Sequence, residues 1–186
     1  TERTITDADV EVADQIYTGK ELTPDVEVTL GDKLLTNGVD YTVTYEKNVN
    51  VGTANVIVKG TGNYKDTITK TFRIAAADIS SAVAYKISDQ TYTGSPITPV
   101  VTVSMADGTT LKAGVDYEAE YTGNTDVTTK DAPAQVVITG KGNYVGTLRT
   151  TFAIVPKSLT GVAISGYSES VAYTGADVTF ADIIVA

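Results

Sequence analysis

One segment occurs almost unchanged at two places in the sequence: "GTGNYKDTITKTFRI" at residues 60–74 and "GKGNYVGTLRTTFAI" at residues 140–154. Each copy opens with glycines and an asparagine and continues as a run rich in Thr, Ile and Phe. Glycine supplies positive φ at tight turns, and β-branched and aromatic residues favour a pleated, half-buried strand. We therefore predict that each copy is a turn followed by the last strand of a duplicated unit.

Two further pairs of segments extend the duplication towards the N-terminus. The segment "DQIYTGKELTPDVEVTL" (14–30) aligns with "DQTYTGSPITPVVTVSM" (89–105), and "LTNGVDYTVTY" (35–45) aligns with "LKAGVDYEAEY" (111–121). A third "YTG" occurs in "SVAYTGADVTFADIIVA" (170–186). Repetition of this kind is typical of tandem units that each form one structural module.

The spacing of these segments divides the chain into three parts. We predict a first repeat over residues 1–77, a second over 78–157 and a partial third over 158–186. The connections "AAAD" (75–78) and "VPKS" (155–158) directly follow the last predicted strand of a repeat. Because such short connections restrict bending, we expect a rod-like tandem.

Within each repeat, apolar and polar residues alternate with a period of two, which predicts strands. In "DVEVTL" the side chains of Val26, Val28 and Leu30 fall on one face. The same alternation groups Tyr41, Val43 and Tyr45; Ile68, Phe72 and Ile74; Val101, Val103 and Met105; Tyr117, Ala119 and Tyr121; and Leu148, Phe152 and Ile154. Short strands separated by glycine- and asparagine-containing turns predict an all-β fold with an antiparallel β-sandwich in each repeat. A grasp-like two-layer β topology is the alternative.

The composition limits the function classes. The chain has 186 residues, of which 42% are apolar and 20% charged, and its net charge of −9 disfavours binding to nucleic acids. It contains no Cys, His or Trp, so it lacks a thiolate nucleophile, the commonest general base and the strongest sugar-stacking ring. No apolar run approaches the roughly 18 residues of a membrane span. We expect no membrane insertion by this segment and no enzyme activity, cofactor or metal.

These motifs resemble a family of Ig-like tandem repeats in cell-surface and secreted proteins of Gram-positive bacteria, often gut-dwelling Firmicutes. The resemblance lies in "YTGKELTP", "LTNGVDYTVTYEKNVNVGTANVIVKGTGNY" and "TITKTFRI", and in the matching segments of the second copy. The second copy departs from the pattern at "NTDVTTKDAPA", and the third departs from it after "YTG". The resemblance implies non-catalytic modules that space out or present other domains outside the cell.

The glycine-rich loops have two interpretations. Backbone N–H groups beside the glycines of "GTGNY" and "GKGNY" can bind phosphate. A dinucleotide-binding loop requires a third glycine and a following helix, whereas a strand pattern follows here. We favour a hairpin turn, with Tyr64 and Tyr144 packed over the turn or at the edge of the core.

Three charged residues are candidates for chemistry. Asp40 and Asp116, in the two "VDY" segments, are candidate calcium ligands, but a lone Asp is more typical of a turn, where it accepts backbone N–H bonds. Lys70 interrupts the apolar face between Ile68 and Phe72. Gram-positive surface modules sometimes contain a Lys–Asn amide. We favour a lysine near a sheet edge whose stem covers apolar surface, since the second copy has Thr150 there.

The repeated tyrosines Tyr17, Tyr92 and Tyr173 are either a sugar-stacking platform or packing residues, and we favour packing. No pattern pairs two acids as glycoside hydrolysis requires. We expect the partial third repeat to dock on the second; pairing with another chain is the alternative.

The predicted function is a structural or adhesin-type module of an extracellular or cell-surface protein, with other domains of the same protein as partners. A module that binds carbohydrate or a host ligand, appended to an exported enzyme, is the alternative.

Overall fold

The computed structural model describes residues 2–165, 175 and 184–185 of the chain. These residues form strands and turns, with no helix among them, so the prediction of an all-β fold is confirmed. In this part of the chain there is accordingly no helix capable of crossing a bilayer. Tyr173 and most of the predicted third repeat lie outside the described residues.

The first repeat contains nine strands: β1 (Arg3–Thr4), β2 (Asp9–Val12), β3 (Gln15–Ile16), β4 (Val26–Leu30), β5 (Lys33–Leu34), β6 (Tyr41–Glu46), β7 (Gly52–Gly60), β8 (Tyr64–Lys65) and β9 (Thr67–Ala75). They form a three-stranded sheet in the order β2-β4-β5, a four-stranded sheet in the order β3-β9-β7-β6 and a separate β1-β8 pair.

The second repeat contains β10 (Ala77–Asp78), β11 (Val83–Ala84), β12 (Gln90–Thr91), β13 (Val103–Ser104), β14 (Tyr117–Thr122), β15 (Ala134–Gly140), β16 (Tyr144–Val145), β17 (Thr147–Phe152) and β18 (Ile154–Val155). They form a three-stranded sheet in the order β14-β15-β17 and three separate pairs, β11-β13, β12-β18 and β10-β16. After it, β19 (Ile164–Ser165) pairs antiparallel with β20 (Ile184–Val185).

Four strand pairs depart from the predicted antiparallel arrangement. The pairs β1-β8, β3-β9, β10-β16 and β12-β18 are parallel. In the first repeat only Ala13 and Asp14 separate β2 from β3, so no turn reverses the chain as it moves from one sheet to the other. As a result, β3 runs parallel to β9, the last strand of the repeat. The two paired strands are far apart in sequence, as parallel pairing requires.

The predicted alternation is confirmed by the burial of the strands. Along β4, Val28 and Leu30 are buried and Glu27 is exposed, and along β6 Tyr41 is buried while Thr42 and Thr44 are exposed. The inward-facing residues form one buried cluster between Ala77 and Ile154 and two buried clusters between Ile5 and Ile74. The described residues are therefore consistent with a sandwich-like, two-layer arrangement in each repeat.

The glycine-rich loops are turns, as predicted. Gly62 and Gly142 have φ of 64° and 65°, and the N–H of Tyr64 closes the first turn on the carbonyl of Thr61 at 3.0 Å. Gly60 is required for a different reason: a Cβ atom there would lie 2.8 Å from the backbone nitrogen of Lys65. These loops are shaped by chain reversal and close backbone approach.

Candidate functional site

Asp40 and Asp116 hold turns, as predicted. The Asp40 carboxylate accepts the N–H of Thr36 at 3.0 Å, and Asp116 accepts the N–H of Lys112 at 2.8 Å. Each aspartate therefore satisfies a backbone donor within its own repeat. Over the described part of the chain, no three His, Cys, Asp or Glu side chains are grouped so as to hold a metal ion.

Lys70 is exposed on β9, next to Val56 of β7 in the register of the sheet. Strand β3 pairs with β9 only at Ile74 and Ala75, so Lys70 lies beyond the paired part of that edge, as the favoured interpretation requires. Lys70 also lines an open groove of about 870 Å³ between the two sheets of the first repeat. Other residues lining this groove are Glu11, Val12, Asp25, Glu27, Leu34 and Tyr41.

Tyr64 and Tyr144 are both 7% exposed, which confirms their predicted packing. Different residues cover the two rings. The ammonium of Lys33, from the same repeat, lies 5.1 Å from the ring centroid of Tyr64 and donates to its hydroxyl at 2.8 Å. The ring of Tyr144 instead packs against Tyr17 of the first repeat, with centroids 5.4 Å apart and planes at 85°.

Tyr17 therefore joins the two repeats. Its N–H donates to the carbonyl of Ala75 at 2.9 Å, which fixes it beside the end of β9. Its side chain packs against the buried cluster of the second repeat and against the Phe72 and Ile74 end of the first. An edge-to-face ring pair is favourable because the positive ring edge meets the negative ring face.

Hydrogen bonds from Asn143 complete this contact. The Asn143 side chain accepts the N–H of Val51 at 3.0 Å and donates to the side-chain oxygen of Asn50 at 3.1 Å. We call the contact formed by Tyr17, Asn50, Val51, Asn143 and Tyr144 the joint. It combines an apolar ring pair with a polar rim, as interfaces between protein surfaces commonly do.

The loop that carries Asn50 is held in place by Asn48. Asn48 is 8% exposed; its side chain donates to the carbonyl of Leu22 at 3.0 Å, and its own carbonyl accepts the N–H of Leu22 at 2.9 Å. Asn124 makes the same two bonds with Ile97 in the second repeat, at 3.0 and 2.8 Å. Sequence reasoning missed both asparagines, although each begins the loop that differs in length between the copies.

The buried tyrosines serve structural roles. The hydroxyl of Tyr41 donates to the carbonyl of Val26 at 2.9 Å, and Tyr117 donates in the same way to Val101. Burial raises the pKa of both hydroxyls above the ordinary tyrosine value. They are therefore protonated donors at neutral pH, which suits a structural hydrogen bond better than proton transfer.

No protein-family model matches the chain, and a search among curated proteins finds none with significant similarity to it.

Proposed function

We propose that the chain is a non-catalytic spacer segment, built of tandem Ig-like β-sandwich repeats, in a cell-surface or secreted protein of a Gram-positive bacterium. It holds other domains of that protein away from the cell envelope and contributes to adhesion through them. The location rests on the resemblance of the "YTG…VDY…GNY" pattern to such repeats. The role rests on the joint.

The joint supports a spacer because it links two neighbouring cores. A flexible linker sets no orientation between the modules that it connects. Here the connection between β9 and β10 is a single residue, Ala76, and the ring of Tyr17 contacts buried residues of both repeats. Asn143 adds two hydrogen bonds on the rim. The short connection, the Tyr17 ring and the hydrogen bonds of Asn143 together resist bending and twisting between the two repeats.

The spacer role predicts that the two repeats tumble as one body. We expect ¹⁵N relaxation of the full chain to give one rotational diffusion tensor for backbone amides of both repeats. In a variant that combines Tyr17→Ser with Asn143→Ala, we expect the two repeats to give different diffusion tensors. The chemical shifts of the distant Val56 and Val136 amides should stay unchanged. Independent tumbling of the repeats in the unaltered chain would contradict the proposal.

The cellular location has its own test. An antibody against the chain should label intact bacteria that encode it, and brief protease treatment of the cells should abolish the label. Labelling only after the cells are permeabilised would refute an extracellular location.

The groove in the first repeat favours a second candidate, a module that binds carbohydrate or a host ligand. Its volume of about 870 Å³ lies in the range of small-molecule sites, and its lining combines Lys70, Glu27 and the exposed Leu34. Titrating the chain with oligosaccharides should then shift the amides of β2 and β9, and Lys70→Ala should weaken the effect. Lys65→Ala, at an exposed lysine outside the groove lining, is the matched control.

A further inference from the structure

We propose that the surface around Tyr92 of the second repeat docks the G-x-G-N-Y loop of a further repeat of the same kind. This inference rests on the proposed spacer function and deepens it, because the joint becomes a contact that recurs along a stack. We call the surface formed by Tyr92, Asp126 and Val127 the Tyr92 end.

Tyr92 takes the place of Tyr17. The N–H of Tyr92 donates to the carbonyl of Val155 at 2.9 Å, as that of Tyr17 donates to Ala75 at 2.9 Å. A glycine with positive φ lies two residues after each tyrosine, Gly94 with a φ of 79° and Gly19 with a φ of 78°. The backbone thus presents both rings in the same way. Tyr17 is partly buried and packs edge-to-face against Tyr144 of the second repeat, and Tyr92 is 36% exposed.

The rim of the joint also recurs at this end. Asn124 fixes its loop with the same pair of bonds as Asn48, so Asp126 and Val127 take the places of Asn50 and Val51. At the joint, the Asn143 side chain donates a hydrogen bond to the side-chain oxygen of Asn50 and accepts one from the N–H of Val51. A carboxylate is an acceptor at least as good as an amide oxygen. Asp126 therefore suits the asparagine of a G-x-G-N-Y loop.

The chain beyond β18 already begins the next repeat. The Ser158 hydroxyl accepts the N–H of Thr160 at 3.0 Å, as the Asp78 carboxylate accepts that of Ser80 at 2.8 Å. Leu159 then takes the place of Ile79, yet it is 73% exposed while Ile79 is fully buried. The turn that starts a repeat is therefore present directly after β18, where a further repeat would follow the second.

The opposite end of the chain carries the complementary loop. Asn63 and Tyr64 of the first repeat correspond to Asn143 and Tyr144, and Asn63 is exposed. Lys33, two residues before Leu35, covers Tyr64. The residue two before the equivalent Leu111 is Thr109, which lines a small pocket together with Tyr17 and Tyr144. Lys33→Thr should therefore uncover Tyr64 for docking. A contact between two different surfaces builds open chains wherever the rotation does not close a ring.

Crosslinking tests the proposal in the full chain, which contains no cysteine. Asp126→Cys and Asn63→Cys are introduced into one chain together with Lys33→Thr, and concentrated protein is treated with a short bis-maleimide. We expect a ladder of head-to-tail oligomers. The matched control replaces Asp131→Cys, on the same exposed loop, instead of Asp126. Adding Tyr92→Ala should reduce the ladder about fivefold, the effect of losing one aromatic pair.

A second pair of cysteine substitutions distinguishes the docking proposal from the spacer function. Asn50→Cys with Asn143→Cys should crosslink within one chain if the joint forms in solution. If the intrachain pair crosslinks but the Asp126→Cys variant gives no more oligomers than the Asp131→Cys control, the docking proposal is overturned and the spacer function stays in place. Failure of the intrachain pair overturns the spacer function.

Discussion

Replacing Tyr17→Ala removes the ring that both repeats share. A buried aromatic side chain covers about 150–250 Å², and for the half-buried Tyr17 we take roughly 120 Å². At about 25 cal/mol per Å² this burial contributes about 3 kcal/mol, which a compact unfolded chain reduces to about 2 kcal/mol. The edge-to-face pair with Tyr144 adds about 0.5–1.5 kcal/mol. We expect a total loss of about 2.5–3.5 kcal/mol.

Urea unfolding followed by circular dichroism measures this loss as the summed free energy of unfolding of the chain. The matched control is Tyr92→Ala, which removes the equivalent ring at the end of the second repeat. Tyr92 is 36% exposed, so the same bookkeeping gives a loss of about 2 kcal/mol for the removal of its ring, without the contribution of a ring pair. The difference between the two variants, about 1 kcal/mol, is the contribution of the ring pair, which is specific to the joint.

Equal losses from the two variants would refute this reasoning. They would mean that Tyr17 stabilises only its own repeat, as Tyr92 does. A double-mutant cycle with Tyr144→Ala then isolates the ring pair. We expect a coupling energy of about 1 kcal/mol between Tyr17 and Tyr144, and a coupling near zero would show that the two rings do not interact in solution.

Three further predictions follow from single residues. Gly140→Ala should destabilise the chain by about 2–3 kcal/mol, because a Cβ atom at this position would lie 2.8 Å from the backbone. Gly38→Ala should cost only about 1 kcal/mol, because Gly38 has a φ of 80° but lies in open space. Thermal melting measures both losses. Lys47→Gly should stabilise the chain by about 0.5 kcal/mol in urea, because Lys47 has a φ of 56°. The Lys141 ammonium, 2.5 Å from Glu118, lowers the pKa of the Glu118 carboxyl. Lys141→Met should raise this pKa towards the unfolded value in an NMR titration. Any stabilisation by the ion pair should vanish as the pH falls through the folded pKa of Glu118.

The strands and their buried faces could be predicted from the sequence because alternation is a local property. Val26, Val28 and Leu30 share a face wherever the strand is placed, since successive side chains of a strand point to opposite sides. The turns at Asp40 and Gly62 were equally predictable. An aspartate that caps a turn and a glycine with positive φ both act within a few residues of their own position.

The joint and the parallel strand pairs were not predictable in this way. Nothing near Tyr17 in the sequence distinguishes a ring that packs within its repeat from one that packs on the next, because Tyr144 is far along the chain. Asn143 and Asn50 likewise meet only once two repeats are placed together. The parallel pairing of β3 with β9 depends on which sheet the chain enters after Asp14, and alternation gives no information about that choice.

The differences between the two copies indicate which parts of the repeat tolerate change. The loop after Asn124 is longer than the loop after Asn48, yet it still bonds to the last strand of its repeat: the Thr128 N–H donates to Ile154 at 3.0 Å, and the Thr128 hydroxyl accepts the Ile154 N–H at 2.8 Å. An insertion costs little where side chains can rebuild the lost pairing. At the glycine-rich turn a Cβ on Gly60 or Gly140 would meet backbone that cannot move aside. The packing of each repeat therefore depends on the glycine-rich turn in both copies, and in the second copy Asn143 and Tyr144 of this turn also contact the first repeat.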